Sequence, residues 1–327
     1  MKIAIYGAGA IGGYLGALLA DAGAEVTLIA RGPHLAALRD KGLSLEMNGE
    51  TTTRPVAATD DPAEAGPQDY VIVALKAHSV PAVVDAMQPL LGPDTAVVTA
   101  VNGVPWWYFH ALEGPWKDQR LESVDPGGRQ WERIGPERAI GCVVYPACDV
   151  PEPGLVRHIE GDRFVLGEPS GEKTERVMAL AEIMRQAGFK TPVKPGIRDE
   201  IWIKLWGNLC FNPVSALTGA TLEQIGTDPG TRAVCRAMML EAKAIGEKLG
   251  VRFAIDVEKR MDGAVAVGAH KTSMLQDFEK GRPMEIDALV TVVAELGRIV
   301  DEPTPAIDMV LALIQQKAEL AGLYQRS

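Results

Sequence analysis

Hydrophobic and polar positions follow two different patterns along this chain. In the first part, short runs of aliphatic and β-branched residues alternate with stretches of helical spacing, as expected of strands and helices building a parallel sheet. Residues 2–6 (KIAIY), 25–30, 69–75 and 95–101 read as strands, with 13–23 the helix behind the first. Residues 139–145, 154–160 and 163–167 read as further short strands, 175–187 as a helix and 189–193 as a last strand. The stretch 115–137 is polar, holds Gly127-Gly128 and several prolines, and shows no period; it reads as a surface loop or insertion. From Gly196 onward the spacing is that of long helices, at 197–216, 228–249, 256–280, 284–299 and 305–321. The change of texture places a boundary near residue 195, giving an α/β domain over 1–195 and an all-helical domain over 196–327.

Composition narrows the class of partner. A hydrophobic fraction of 47% and a charged fraction of 23% are ordinary for a globular protein. The 33 Lys and Arg against 43 Asp and Glu give a net charge of −10, which argues against nucleic acid or an anionic membrane and for a small-molecule partner. Cys142, Cys148, Cys210 and Cys235 form no Cys-x-x-Cys pair and have no histidine set nearby, so they read as reduced thiols and no metal site is expected. The first residues run straight into a glycine turn without a signal-peptide pattern, and no apolar stretch reaches the roughly 18 residues of a membrane span. A cytoplasmic location is expected.

Gly7-Ala8-Gly9-Ala10-Ile11-Gly12 follows a strand and opens a helix. In that context Gly7 permits the tight turn, Gly9 lets a pyrophosphate approach the backbone, and Gly12 allows close helix–strand packing. The helix N-terminus supplies amide donors and a favourable dipole. This is the signature of a Rossmann dinucleotide-binding domain. The second strand ends in Ala30-Arg31-Gly32, with no carboxylate for a ribose 2′-hydroxyl and with a guanidinium suited to a 2′-phosphate. That reading favours NADPH over NADH, the alternative being a solvated arginine. Lys76 and Asn102-Gly103 each follow a strand on the cofactor edge; from position alone a helix-start cation and a common turn explain them equally well.

In the segment 202–213, Lys204, Asn208 and Asn212 recur at every fourth position of an otherwise apolar helix. Such residues share a face, and buried polar groups need partners, so this stripe faces a polar ligand or forms a structural network. A lysine there can protonate a carbonyl oxygen as hydride arrives at carbon. Asparagines donate to and accept from hydroxyls. Further on, Gly281 and Pro283 separate two helices and put Glu285 in a first turn, where ordinary capping would also choose a carboxylate.

With these residues together, the sequence resembles the ketopantoate reductase (2-dehydropantoate 2-reductase) family along nearly its whole length. The matching pieces are the glycine loop, Arg31, Lys76-Ala77, Asn102-Gly103, the helix 204–213, and Ser273-Met274-Leu275-Gln276-Asp277 leading to Glu285-Ile286-Asp287. The resemblance implies a Rossmann domain joined to an all-α domain like the C-terminal domain of 6-phosphogluconate dehydrogenase. It implies NADPH-dependent reduction of a 2-keto acid, ketopantoate, to pantoate on the route to coenzyme A. Carried over by position, Lys204 is the general acid, and Glu285 a second substrate-site group that also lies on the cofactor side. Asn208 and Asn212 hold the substrate hydroxyl, Ser273 its carboxylate, Asn102 the nicotinamide ribose or substrate, and Lys76 the cofactor. A homodimer through the helical domain is expected. Two departures, His270 where the family commonly has asparagine and the bulky Trp106-Trp107, motivate an alternative, a paralogous reductase of another branched 2-keto acid. A non-catalytic NADPH sensor is the remaining alternative, disfavoured because it has no use for Lys204 and Glu285.

Overall fold

The computed structural model describes residues 1–326. The chain forms two compact units: one comprises Met1–Val101, Pro105–Arg120 and Asp125–Ile197, the other Arg198 onward together with the short excursions Asn102–Val104 and Leu121–Val124.

Strands of the first unit are β1 (Lys2–Tyr6), β2 (Glu25–Ile29), β3 (Leu43–Met47), β4 (Glu50–Arg54), β5 (Ala57–Thr59), β6 (Gln68–Val73), β7 (Leu91–Thr99), β8 (Ala139–Val144), β9 (Ala147–Glu152), β10 (Leu155–Glu160) and β11 (Phe164–Gly167). Its helices are α1 (Ala10–Asp21), α2 (Gly32–Lys41), α3 (Pro62–Ala65), α4 (Arg129–Arg133) and α5 (Glu175–Gln186). Seven strands make one sheet in the order β11-β8-β7-β6-β1-β2-β5. All neighbours are parallel except β11 on β8. Ile3, Ala4, Ile5 and Tyr6 are all buried, as expected of a central parallel strand covered on both faces. This is the doubly wound order of a Rossmann domain with one antiparallel strand added at an edge.

A second sheet, β4-β3-β10-β9, lies against α1; only β10 was expected, as the strand over 154–160, and β4 gave no signal because it is the polar, mostly exposed run ETTTR. The β3–β4 turn is Asn48-Gly49, both with positive φ, which is the chemistry of a tight hairpin. Contact with α1 is close: a Cβ on Gly13 would lie 2.6 Å from Val156, and Tyr14 stacks on His158 with ring centroids 4.7 Å apart.

Two expectations change in this unit. Residues 189–193 do not form a strand and make only isolated bridges, Arg163 to Lys190 and Leu166 to Val193. Pro192 has no N–H to give a ladder. Nor is 115–137 simply a loop. It contains α4, whose Gln130 and Trp131 amides donate to the buried Asp125 carboxylate at 2.7 and 2.9 Å. Burial raises the Asp125 pKa, opposed by those two amides.

The second unit is helical: α6 (Ile197–Thr218, beginning at the last residue of the first unit), α7 (Leu222–Thr227), α8 (Pro229–Lys248), α9 (Val257–Val265), α10 (Ser273–Glu279), a π turn (Asp287–Thr291), α11 (Val292–Ile299) and α12 (Pro305–Leu320). Trp202 and Trp206 of α6 are fully buried, and the Trp206 indole donates to the Met239 carbonyl of α8 at 2.7 Å. The expected single helix over 256–280 is broken into α9 and α10. Gly268 takes φ +83°, and the Thr272 hydroxyl caps α10 by accepting from the Leu275 amide. Among the described residues no helix is long and apolar enough to cross a membrane.

Candidate active site

Along the carboxyl ends of the parallel strands in the first unit lie the residues expected to hold a dinucleotide. Gly7 takes φ +101°, and a Cβ there would lie 2.7 Å from Leu75, the residue just before Lys76. A Cβ on Gly12 would sit 2.0 Å from the Gly7 carbonyl oxygen, so only glycine lets α1 start this close to β1. A Cβ on Gly9, by contrast, would meet nothing within 4 Å. Gly9 is the N-cap of α1 and has no side chain to occupy the first-turn amides, and that turn, which contains Ala10 and Ile11, has no acidic residue. The Ala8 amide is used internally, donating to the Ile29 carbonyl at 3.2 Å.

Arg31 caps α2 just beyond β2, is exposed, and makes no ion pair among the described residues. It lies near enough to Tyr6 to oppose the upward push that burial gives the phenol. Lys76 is half-buried at the start of the turn after β6. Open backbone at a helix N-terminus, with Arg31 free of a carboxylate among the described residues at the end of β2, fits a dinucleotide.

The second unit joins three residues that lie far apart in the chain. The Lys204 ammonium on α6 donates to Oδ1 of Asn102 at 2.7 Å, and Nδ2 of Asn102 donates to Oε2 of Glu285 at 3.1 Å. Glu285 is buried, and both bonds involve a charged group, which makes them stronger than neutral ones. Asn208 and Asn212 continue the Lys204 face of α6. Asn212 is only 5% exposed, yet among the described residues neither asparagine side chain has a hydrogen-bond partner. Neither asparagine belongs to the sealed, unsatisfied polar groups, so their amides stay accessible to a polar ligand on this face.

The remaining candidates are placed differently. Ser273 is exposed at the first position of α10, and His270 is exposed in the segment preceding it. Trp106 and Trp107 are buried in the first unit, where the Trp107 indole donates to Thr99 at 2.9 Å and Trp106 meets Trp131 edge-on. The bulky tryptophan pair is therefore packed into the core of that unit. Sequence reading missed how Asn102 is anchored. A Cβ on Gly103 would lie 2.0 Å from the Ala288 carbonyl oxygen, and the Val104 amide donates to that same oxygen at 3.1 Å. The Asn-Gly pair was the only signal available.

Comparison with known proteins follows the same division. Residues 3–107 match the family profile described as ketopantoate reductase PanE/ApbA, and residues 196–318 match its C-terminal profile. A Mesorhizobium japonicum protein named 2-dehydropantoate 2-reductase is 61% identical over 325 residues, covering 99% of this chain and 100% of that one. A Ralstonia solanacearum protein of known crystal structure is 47% identical, covers 99% of both chains, and superposes with a TM-score of 0.95. D-mandelate dehydrogenase in its ternary structure with NADH and anilino(oxo)acetate shares the fold at 21% identity, with a TM-score of 0.81 over 99% of this chain and 100% of that one.

Proposed function

This chain belongs to the ketopantoate reductase family of oxidoreductases, and from that premise we propose that it reduces 2-dehydropantoate (ketopantoate) to pantoate with NADPH, Lys204 serving as general acid. The observation that carries this reading is the Lys204–Asn102–Glu285 chain of hydrogen bonds beside two asparagines whose side chains have no hydrogen-bond partner among the described residues. When bound, NADPH supplies the hydride that adds to the keto carbon. Lys204 gives a proton from its ammonium to the carbonyl oxygen, leaving a 2-hydroxy acid and a neutral amine that solvent reprotonates. The cationic form also stabilises the developing alkoxide.

Glu285 orients Lys204 through Asn102 and contributes on the substrate and cofactor sides. Asn102 contacts the substrate or the nicotinamide ribose. Asn208 and Asn212 take the substrate hydroxyl, and Ser273 takes its carboxylate. Residues 7–12, Arg31 and Lys76 hold the cofactor, with Arg31 on the 2′-phosphate. In this reading residues 1–195 form the NADP-binding domain and residues 196–327 the substrate domain. The partner we propose is a second copy of the chain, supported by exposed Met309, Leu313 and Leu320 on α12. A cytoplasmic location is supported by the four cysteines, all of them free thiols.

The test is NADPH oxidation with ketopantoate beside a panel of branched and aromatic 2-keto acids, for the parent and for Lys204→Ala. Ketopantoate should be turned over fastest. Lys204→Ala should lose about 10²- to 10⁴-fold in turnover while still binding NADPH. Turnover equal to the parent would refute the role of Lys204, and NADPH binding without ketopantoate turnover would refute the substrate.

A further inference from the structure

The helix expected over 284–299 does not run regularly. Between Asp287 and Thr291 it widens into a π turn, where the Val292 amide reaches back five residues to the Asp287 carbonyl. In a regular α-helix that amide would bond to the Ala288 carbonyl, four residues back. The Ala288 oxygen instead accepts from the Val104 amide at 3.1 Å. Widened turns of this kind recur at functional sites, because they release a backbone group from the helical ladder.

Gly103 meets the same oxygen, and side-chain bonds pin the π turn that carries it. Gly103, next to Asn102, has φ +92° and approaches Ala288 so closely that a Cβ would overlap its carbonyl oxygen. Asp287 opens the π turn, and its Oδ1 accepts from the Thr291 hydroxyl and from the Tyr324 phenol, both at 2.7 Å. The Thr291 bond spans the turn, and the Tyr324 bond ties it to the chain beyond α12. Asn102 then presents its carboxamide between Lys204 and Glu285.

We propose that Gly103 and the π turn at 287–291 are positioning elements for catalysis: the Ala288 carbonyl, released from the helix, anchors the Val104 amide and so holds Asn102 in register between the proton donor Lys204 and Glu285. A regular helix here would keep that oxygen for Val292, and a side chain at Gly103 would push the Asn102 backbone off it. Asn102 is separated from Lys204 and Glu285 by 102 and 183 residues, so its register depends on this backbone contact. The inference rests on the reading of Lys204 as general acid.

The experiment is a kinetic double-mutant cycle on the full-length protein with saturating NADPH and varied ketopantoate: Gly103→Ala, Asn102→Ala and the pair together, with NADPH affinity measured in parallel. A displacement of about an ångström in a catalytic group costs about 10²-fold. Gly103→Ala should therefore lower kcat by about that factor, with changes in the KM for ketopantoate and in NADPH affinity no larger than those of Asn102→Ala. In the Asn102→Ala background the same substitution should cost almost nothing more, because its effect passes through Asn102. Independent, multiplicative losses, or a parent-like kcat for Gly103→Ala, would overturn the proposal. Should Gly103→Ala fail to fold, Thr291→Val takes its place in the cycle. It is close in shape, removes the strap across the turn, and should lower kcat severalfold in the parent background but not beside Asn102→Ala; parent-like or additive behaviour would again overturn the proposal. Lys204→Ala separates the two readings, since parent-like turnover of that variant refutes the general-acid role whatever the cycle shows.

Discussion

Gly9 and Gly12 belong to one loop but should respond oppositely to the same added methyl group. At Gly12 an alanine Cβ would lie 2.0 Å from the Gly7 carbonyl oxygen and 2.9 Å from Ile5 Cγ2. Carbon and oxygen do not approach within about 3 Å, so α1 must move about 1 Å away from β1. Overpacking of this kind costs about 1–3 kcal/mol. At Gly9 nothing in the protein lies within 4 Å of the added carbon, and φ −71° suits any residue. The only intrinsic cost is alanine replacing glycine as N-cap, below about 1 kcal/mol. The added methyl would instead occupy the space through which a pyrophosphate reaches the first-turn amides. Losing one charge-assisted hydrogen bond is worth about 1.5–3 kcal/mol, or about tenfold or more in affinity. Thermal melting and titration with NADPH, followed by its fluorescence, measure both quantities on each variant. Gly9→Ala should melt within a few degrees of the parent and bind NADPH at least about tenfold more weakly. Gly12→Ala should lose both stability and binding. If Gly9→Ala folds normally and binds NADPH as tightly as the parent, the pyrophosphate does not approach that backbone.

Two other predictions concern the first unit. Arg31→Ala should weaken NADPH about tenfold or more and leave NADH nearly unchanged, because only the 2′-phosphate is paired; equal losses for both nucleotides would show that Arg31 does not select NADPH. His34 accepts the Gly154 amide on Nδ1 at 3.1 Å, and burial lowers its pKa from the ordinary 6.5, opposed by the Ala8 carbonyl. A depressed folded pKa means that the unfolded chain takes the proton more readily. This contribution to stability is therefore complete above 6.5 and is lost as pH falls through that value toward the folded pKa. The melting temperature of the parent should fall more steeply than that of His34→Gln between about pH 7 and about pH 5, and parallel slopes would refute the linkage.

What the sequence determined by itself is what a few neighbouring residues can encode. Strands β1, β2, β6 and β7 were legible because buried parallel strands are continuous apolar runs. The glycine loop was legible because Gly7 and Gly12 answer local steric demands, while Gly9 leaves its backbone open. The stripe of Lys204, Asn208 and Asn212 was legible because helical geometry alone puts every fourth residue on one face. Tertiary structure decided the rest. The second sheet includes a strand, ETTTR, with no apolar signal, held by its neighbour rather than by its own pattern. The break between α9 and α10 and the π turn interrupt sequences whose periodicity reads as unbroken helix. Trp106 and Trp107, bulky in the sequence, are core only because the first unit closes over them. The joining of Asn102 to Lys204 and Glu285 depends on one backbone carbonyl that a regular helix would have kept for itself. Periodicity records the demands a residue makes on its near neighbours, whereas contacts between distant segments exist only once packing has brought them together.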